Sequence, residues 1–142
     1  VKHIKTFESF LFEDANQNKL TDILKNLTKD GEFIDFLHSK GKKNAVKVSP
    51  AELSMGLCAY VAKYVEEVHG IGKAMGSHGP ADAPVSHAFI VYNNRYYDAA
   101  DPKGVDHVWQ LWNFDDASYS TQLPEKDYNK EIEKNLQGYD LK

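Results

Sequence analysis

Cys58, His87 and Asp98 follow one another along the chain as thiol, imidazole and carboxylate, with Asp101 three residues on as a rival acid. A cysteine acts as a nucleophile only as its thiolate, so it needs an imidazole to hold the proton and a carboxylate to orient that imidazole. A set of this kind attacks the carbonyl carbon of an amide or related acyl bond and passes through a thioester. Cys58 is the only cysteine, so it cannot form an internal disulfide, and nothing points to a secreted, cross-linked scaffold.

Such chemistry depends on the elements that carry the three side chains. Leu57 to His69 has apolar Leu57, Val61, Tyr64, Val65 and Val68 at helical spacing, with Gly70 as the residue just past its end. Cys58 thus falls in the first turn of a helix, where free N–H groups and the dipole favour a thiolate. The same N–H groups are candidate oxyanion donors, with Ser54 as a side-chain candidate, and Gly56 leaves room beside the sulfur. His87 opens an apolar strand that runs to Tyr92, and Arg95 to Asp98 forms a second one. Asn93-Asn94 between them suits the positive φ of a two-residue type I′ turn, which pairs Tyr92 with Arg95 and brings Asp98 diagonally beside His87. A three-residue loop would slip the register by one and place Asp101 opposite His87 instead.

Elsewhere the pattern is mostly helical. Residues 1–15 read as an N-terminal arm or short amphipathic helix, and residues 16–142 as the core of a single domain. Leu20, Ile23, Leu24 and Leu27 form one helical stripe; Phe33, Ile34, Phe36 and Leu37 mark a second helix between Asp30-Gly31 and Gly41, with His38 on its surface. Ala45 to Val48 alternates like a short strand, and Ser49-Pro50-Ala51-Glu52 is a capping-box helix start interrupted at Gly56. The stretch from Ile71 to Val85, rich in Gly and Pro, reads as a long exposed loop of the lid or binding type. Val105 to Phe114 fits a strand or a short helix, Asp115 to Pro124 a loop, and Glu125 to Leu136 a polar helix.

Gly56-Leu57-Cys58-Ala59-Tyr60-Val61-Ala62 resembles the Gly-x-Cys helix start of transglutaminase-like and NlpC/P60-like cysteine hydrolases. His87-Ala88-Phe89-Ile90-Val91 and Arg95-Tyr96-Tyr97-Asp98-Ala99 resemble their histidine and acid strands. The likeness covers about a third of the chain. It implies an α+β fold of the papain-like superfamily, a small antiparallel sheet packed against helices with the catalytic cysteine at a helix N-terminus. It also implies a Cys58–His87–Asp98 triad acting on amide bonds as protease, amidase, deamidase or transglutaminase, with no cofactor and no metal. Transglutaminase-like proteins usually carry an aromatic residue four positions before an Asp-Pro acid, a pattern that selects Tyr97 and Asp101. Leu57 stands where NlpC/P60 proteins have Asp directly before the cysteine, which argues against peptidoglycan hydrolysis. Lys5-Thr6-Phe7-Glu8-Ser9-Phe10-Leu11 resembles the opening of many small proteins of large tailed phages.

Composition narrows the partners. A net charge of −4 disfavours nucleic acid, and Lys40-Gly41-Lys42-Lys43 reads as a solvated loop. No apolar run approaches a membrane span, so the expected setting is the cytoplasm, or a host cytoplasm or virion for a phage-encoded chain. The expected partner is a protein or peptide-like substrate bearing an amide bond. Two other readings stay open: a metal site drawn from His69, His78, His87, Asp82, Asp98 and Asp101, and a non-catalytic accessory protein binding through Trp109, Trp112 and Tyr119.

Overall fold

A computed structural model describes residues 7–78, 85–111 and 136–138. The chain is α+β, with several helices and a small antiparallel sheet. Helix α1 spans Phe7–Lys25 without a break, passing through residue 15, where the sequence reading ends an arm or short helix. No Gly or Pro interrupts this stretch, so nothing in the backbone requires a stop there.

A 3₁₀ turn, Leu27–Lys29, leads to α2, Gly31–Ser39. Asp30 caps α2 by accepting from the N–H groups of Glu32 and Phe33. Its other oxygen accepts from the Tyr64 hydroxyl at 2.7 Å. His38, expected to stand without a partner, lies 2.5 Å through Nε2 from the carbonyl of Ala45. The strand expected over Ala45 to Val48 is absent: the segment pairs with no strand of the described sheet. Alternation there only buries Val48 while Val46 stays 85% exposed.

Ser49 and Glu52 form the expected capping box at the start of α3, Pro50–Met55, which stops at Gly56. Helix α4, Cys58–Tyr64, follows at once and ends in a π turn, Val65–His69, with Gly70 in the left-handed conformation at φ 64°. That wide turn corrects the predicted apolar stripe. With more residues per turn, the position over Tyr64 falls to His69, whose ring stacks edge-on at 5.0 Å, and Val68 turns outward to 41% exposure.

The largest correction concerns the expected Ile71–Val85 loop. Lys73–His78 is a strand, β1, inside the sheet, while residues 79–84 lie outside the described residues. Strand β2 is Val85–Tyr92, β3 is Arg95–Tyr97 and β4 is Leu136–Gly138, in the order β3-β2-β1-β4. Lys-Ala-Met-Gly-Ser-His carries no β-branched residue, so β1 has a weak strand signature. It is held by antiparallel neighbours on both sides and by burial of Ala74 and Gly76. Leu136, expected to end a helix, lies in β4; residues 125–135 and 112–124, with the predictions made for them, are outside the described residues. Of the Val105 to Phe114 stretch, the described part holds an isolated bridge, Tyr96 to Val105, and a 3₁₀ turn, Val108–Gln110.

Two apolar clusters hold these pieces together. The larger joins Leu20, Leu24, Phe33, Leu37, Val61, Tyr64 and Val65 of the helices to Ala74, Ile90 and Tyr97 of the sheet. The smaller groups Phe89 with Val108 and Leu111. Lys63, only 6% exposed, is compensated by Glu66 at 2.5 Å, and the other oxygen of Glu66 accepts from the Ala74 N–H at 2.6 Å. The π turn is thereby clipped to the sheet.

Candidate active site

The Asn93-Asn94 turn has φ values of 50° and 61°, both left-handed, as a type I′ hairpin requires. The ladder pairs Tyr92 with Arg95, Val91 with Tyr96 and Ile90 with Tyr97, the register expected from a two-residue turn. Asp98 comes immediately after, and its Oδ2 lies 2.7 Å from His87 Nε2. His87 is 2% and Asp98 3% exposed, so the contact is shielded from water.

Asp98 is held in turn. Its Oδ1 accepts from the backbone N–H of Asp101 at 2.7 Å, and the Gly104 N–H donates to the Asp101 carbonyl at 3.0 Å. The two rival acids thus take different places: Asp98 meets the imidazole, and Asp101 supports Asp98 through its backbone. Asp101 lines a groove of about 640 Å³ with Ser54, Met55, Ala99, Ala100 and Pro102 among its walls. Arg95 closes this loop from outside. Its guanidinium donates to Asp106 Oδ1 at 2.6 Å and to the carbonyls of Gly104 at 3.0 Å and Lys103 at 3.3 Å. Gly104, at φ +80°, sits so close that a β-carbon there would lie 2.5 Å from the Tyr97 ring; only glycine fits.

Cys58 is the first residue of α4, which packs on β2 and β1, and its side chain hydrogen-bonds to His87. Asp98 takes Nε2 of His87, which leaves Nδ1 as the ring nitrogen available to the thiol. Burial pushes the thiol pKa up, but the hydrogen bond and charge of His87 and the N–H groups of Ala88 and Ala59 outweigh it, so Cys58 ionises below its ordinary range. For His87 burial works downward, and the hydrogen bonds to Asp98 and Cys58 with their charges prevail, raising it to about 9. The two shifts run in opposite directions, and each favours a thiolate beside an imidazolium over two neutral groups. Phe89 stands 6.1 Å from the His87 ring, centroid to centroid, with the two planes tilted by 37°.

The structure thus brings Cys58, His87 and Asp98 together. The Ala59 N–H is one of the helix-start donors expected beside Cys58, whereas sequence reasoning missed the Ala88 N–H, the Asp101 N–H and the Arg95 clamp. The first two leave no side-chain signal; Arg95 and Asp106 were visible only as ordinary charges. Among the described residues no group of three or more His, Cys, Asp and Glu side chains gathers in a metal-binding arrangement. Asp82, Trp112 and Tyr119 lie outside the described residues, and the side chains of His78 and Trp109 are not described. No described helix is long and apolar enough to cross a membrane. No protein-family model matches the chain, and no curated protein or solved structure matches it significantly.

Proposed function

We propose that the protein is a thiol-dependent hydrolase or acyl transferase of papain-like or transglutaminase-like type, acting on amide bonds through Cys58, His87 and Asp98. The observation that carries this reading is the buried relay in which Asp98 Oδ2 stands 2.7 Å from His87 Nε2 while the ring's other side serves the Cys58 thiol. Structural histidines and cysteines seldom combine a depressed thiol, a raised imidazole and a carboxylate anchor in one contact chain.

The Cys58 sulfur attacks the carbonyl carbon, forming a C–S bond and pushing the electron pair onto the oxygen. Collapse of that intermediate breaks the C–N bond as the His87 imidazolium gives its proton to the leaving amine. The thioester is then attacked by water or by an amine, which loses a proton to His87 and regenerates the thiolate. Water makes the reaction a hydrolysis, and an amine makes it an acyl transfer. Asp98 keeps the ring oriented through both halves.

The test is the rate of iodoacetamide alkylation of Cys58 as a function of pH. The wild-type thiol is expected to titrate below the usual value near 8.5 and to move up toward it in His87→Ala. Equal, ordinary titration in both proteins refutes the ion pair and with it the proposed chemistry.

A further inference from the structure

The segment between α2 and α3 carries Lys42, Lys43 and Lys47, all exposed, on a chain whose net charge is −4. Lys40 beside them is paired with Glu67 at 3.0 Å. Among the described residues no carboxylate forms a salt bridge with Lys42, Lys43 or Lys47. The segment is nonetheless ordered by its own bonds. The Lys42 N–H returns to the Leu37 carbonyl at 2.9 Å, the Ala45 N–H to the Lys42 carbonyl at 3.1 Å, and His38 holds the Ala45 carbonyl. Lys42 also rests over the Tyr60 ring at 5.5 Å.

These lysines line a cleft of about 400 Å³ together with half-buried Leu57, a volume in the range of small binding pockets. Val46, 85% exposed, projects from the same segment. The one carboxylate in the lining, Glu52, is engaged by the N–H and hydroxyl of Ser49. The accessible apolar surface of Leu57 and Val46 and three lysines without carboxylate partners complement a ligand that carries both apolar and anionic groups. Leu57 immediately precedes Cys58, so whatever fills the cleft lies beside the helix that carries the thiol.

We infer that this cleft binds an acidic polypeptide segment of a partner protein, with an apolar side chain against Leu57 and Val46 and carboxylates against Lys42, Lys43 and Lys47. The inference concerns recognition and does not depend on the chemistry at Cys58. Its test is fluorescence anisotropy of the full chain with a short labelled peptide of Glu and Asp around a single Leu. Binding is expected to fall by roughly 10-fold or more in the triple variant Lys42→Glu/Lys43→Glu/Lys47→Glu, in keeping with the loss of three partly exposed charge pairs. It is also expected to weaken as salt shortens the Debye length. The triple variant Lys42→Gln/Lys43→Gln/Lys47→Gln, with circular dichroism as the check on folding, should give a smaller loss in the same direction. No binding by the wild type, undiminished binding by both variants, or tighter binding of a single-stranded RNA of equal charge overturns the inference. Because Cys58 alkylation is measured separately, a failure here and a failure of the thiol proposal are distinguishable.

Discussion

His87 keeps its proton up to about pH 9, against an unfolded value near 6.5, and this sets a definite pH dependence. A group whose pKa rises on folding stabilises the fold most below the unfolded value and loses that contribution as pH climbs through the folded one. The histidine's window is therefore about pH 6.5 to 9, and because Cys58, lowered on folding, adds stability as pH rises toward the ordinary thiol range, the net loss is concentrated at the top of that window. Urea unfolding at a series of pH values should show this slope in the wild type and a much flatter one in Asp98→Asn, which removes the carboxylate that most favours the charged ring. An equally steep slope in Asp98→Asn would mean that another group titrates. At the same scale, Cys58→Ala should lower the His87 pKa measured by NMR, since the thiolate contributes to the rise. A lone buried imidazole would give no such response.

At the scale of elements, the hairpin decides which acid meets the histidine. Side chains alternate along a strand, so one added residue moves every partner to the opposite face. Inserting a single Gly between Asn93 and Asn94 should displace Asp98 from His87 and bring the His87 pKa down toward its ordinary range by NMR titration. A raised pKa surviving the insertion would show that register does not set the contact. The loop after β3 imposes a second constraint. Gly104→Ala places a β-carbon inside the Tyr97 ring and asks an alanine to hold φ +80°, so a loss of about 3 kcal/mol or more is expected in denaturant unfolding. Arg95→Ala frees the same loop without a clash and should cost less, about 1–2 kcal/mol.

Across the whole molecule, the sheet serves two cores, and the site sits where helix, sheet and loop meet. The smaller cluster depends on Leu111, fully buried although it belongs to no helix or strand. Leu111→Ala should therefore cost about 2–4 kcal/mol, a core-sized effect from an irregular segment. A change below about 0.5 kcal/mol in thermal or urea unfolding would show that the second cluster contributes little. The larger cluster is locked by a polar bridge, since Asp30 both caps α2 and receives the Tyr64 hydroxyl. Burial and the adjacent Asp30 carboxylate push that phenol above the ordinary tyrosine range, so at neutral pH it is a neutral donor to Asp30.

Local chemistry accounts for what was legible from residues alone. The Ser49–Glu52 capping box, the stop at Gly56, the helix beginning at Cys58, the left-handed Gly70 and the Asn93-Asn94 turn each depend on a few neighbouring side chains and their φ preferences, and each stands where the sequence puts it. The hairpin register follows from the turn, which is why His87 and Asp98 could be named together. Strand β1 was illegible because its residues are small and polar, and its conformation comes from flanking strands remote in sequence. The unbroken α1, the outward turn of Val68 and the unpaired Ala45–Val48 segment likewise depend on packing and on a π turn that no propensity announces. Tertiary structure added what holds Asp98 in place, the loop whose Asp101 N–H donates to its Oδ1, because that loop closes only through contacts beyond the hairpin. It alone brought Cys58 to His87 across nearly thirty residues of chain, because that contact exists only once α4 has packed on β2.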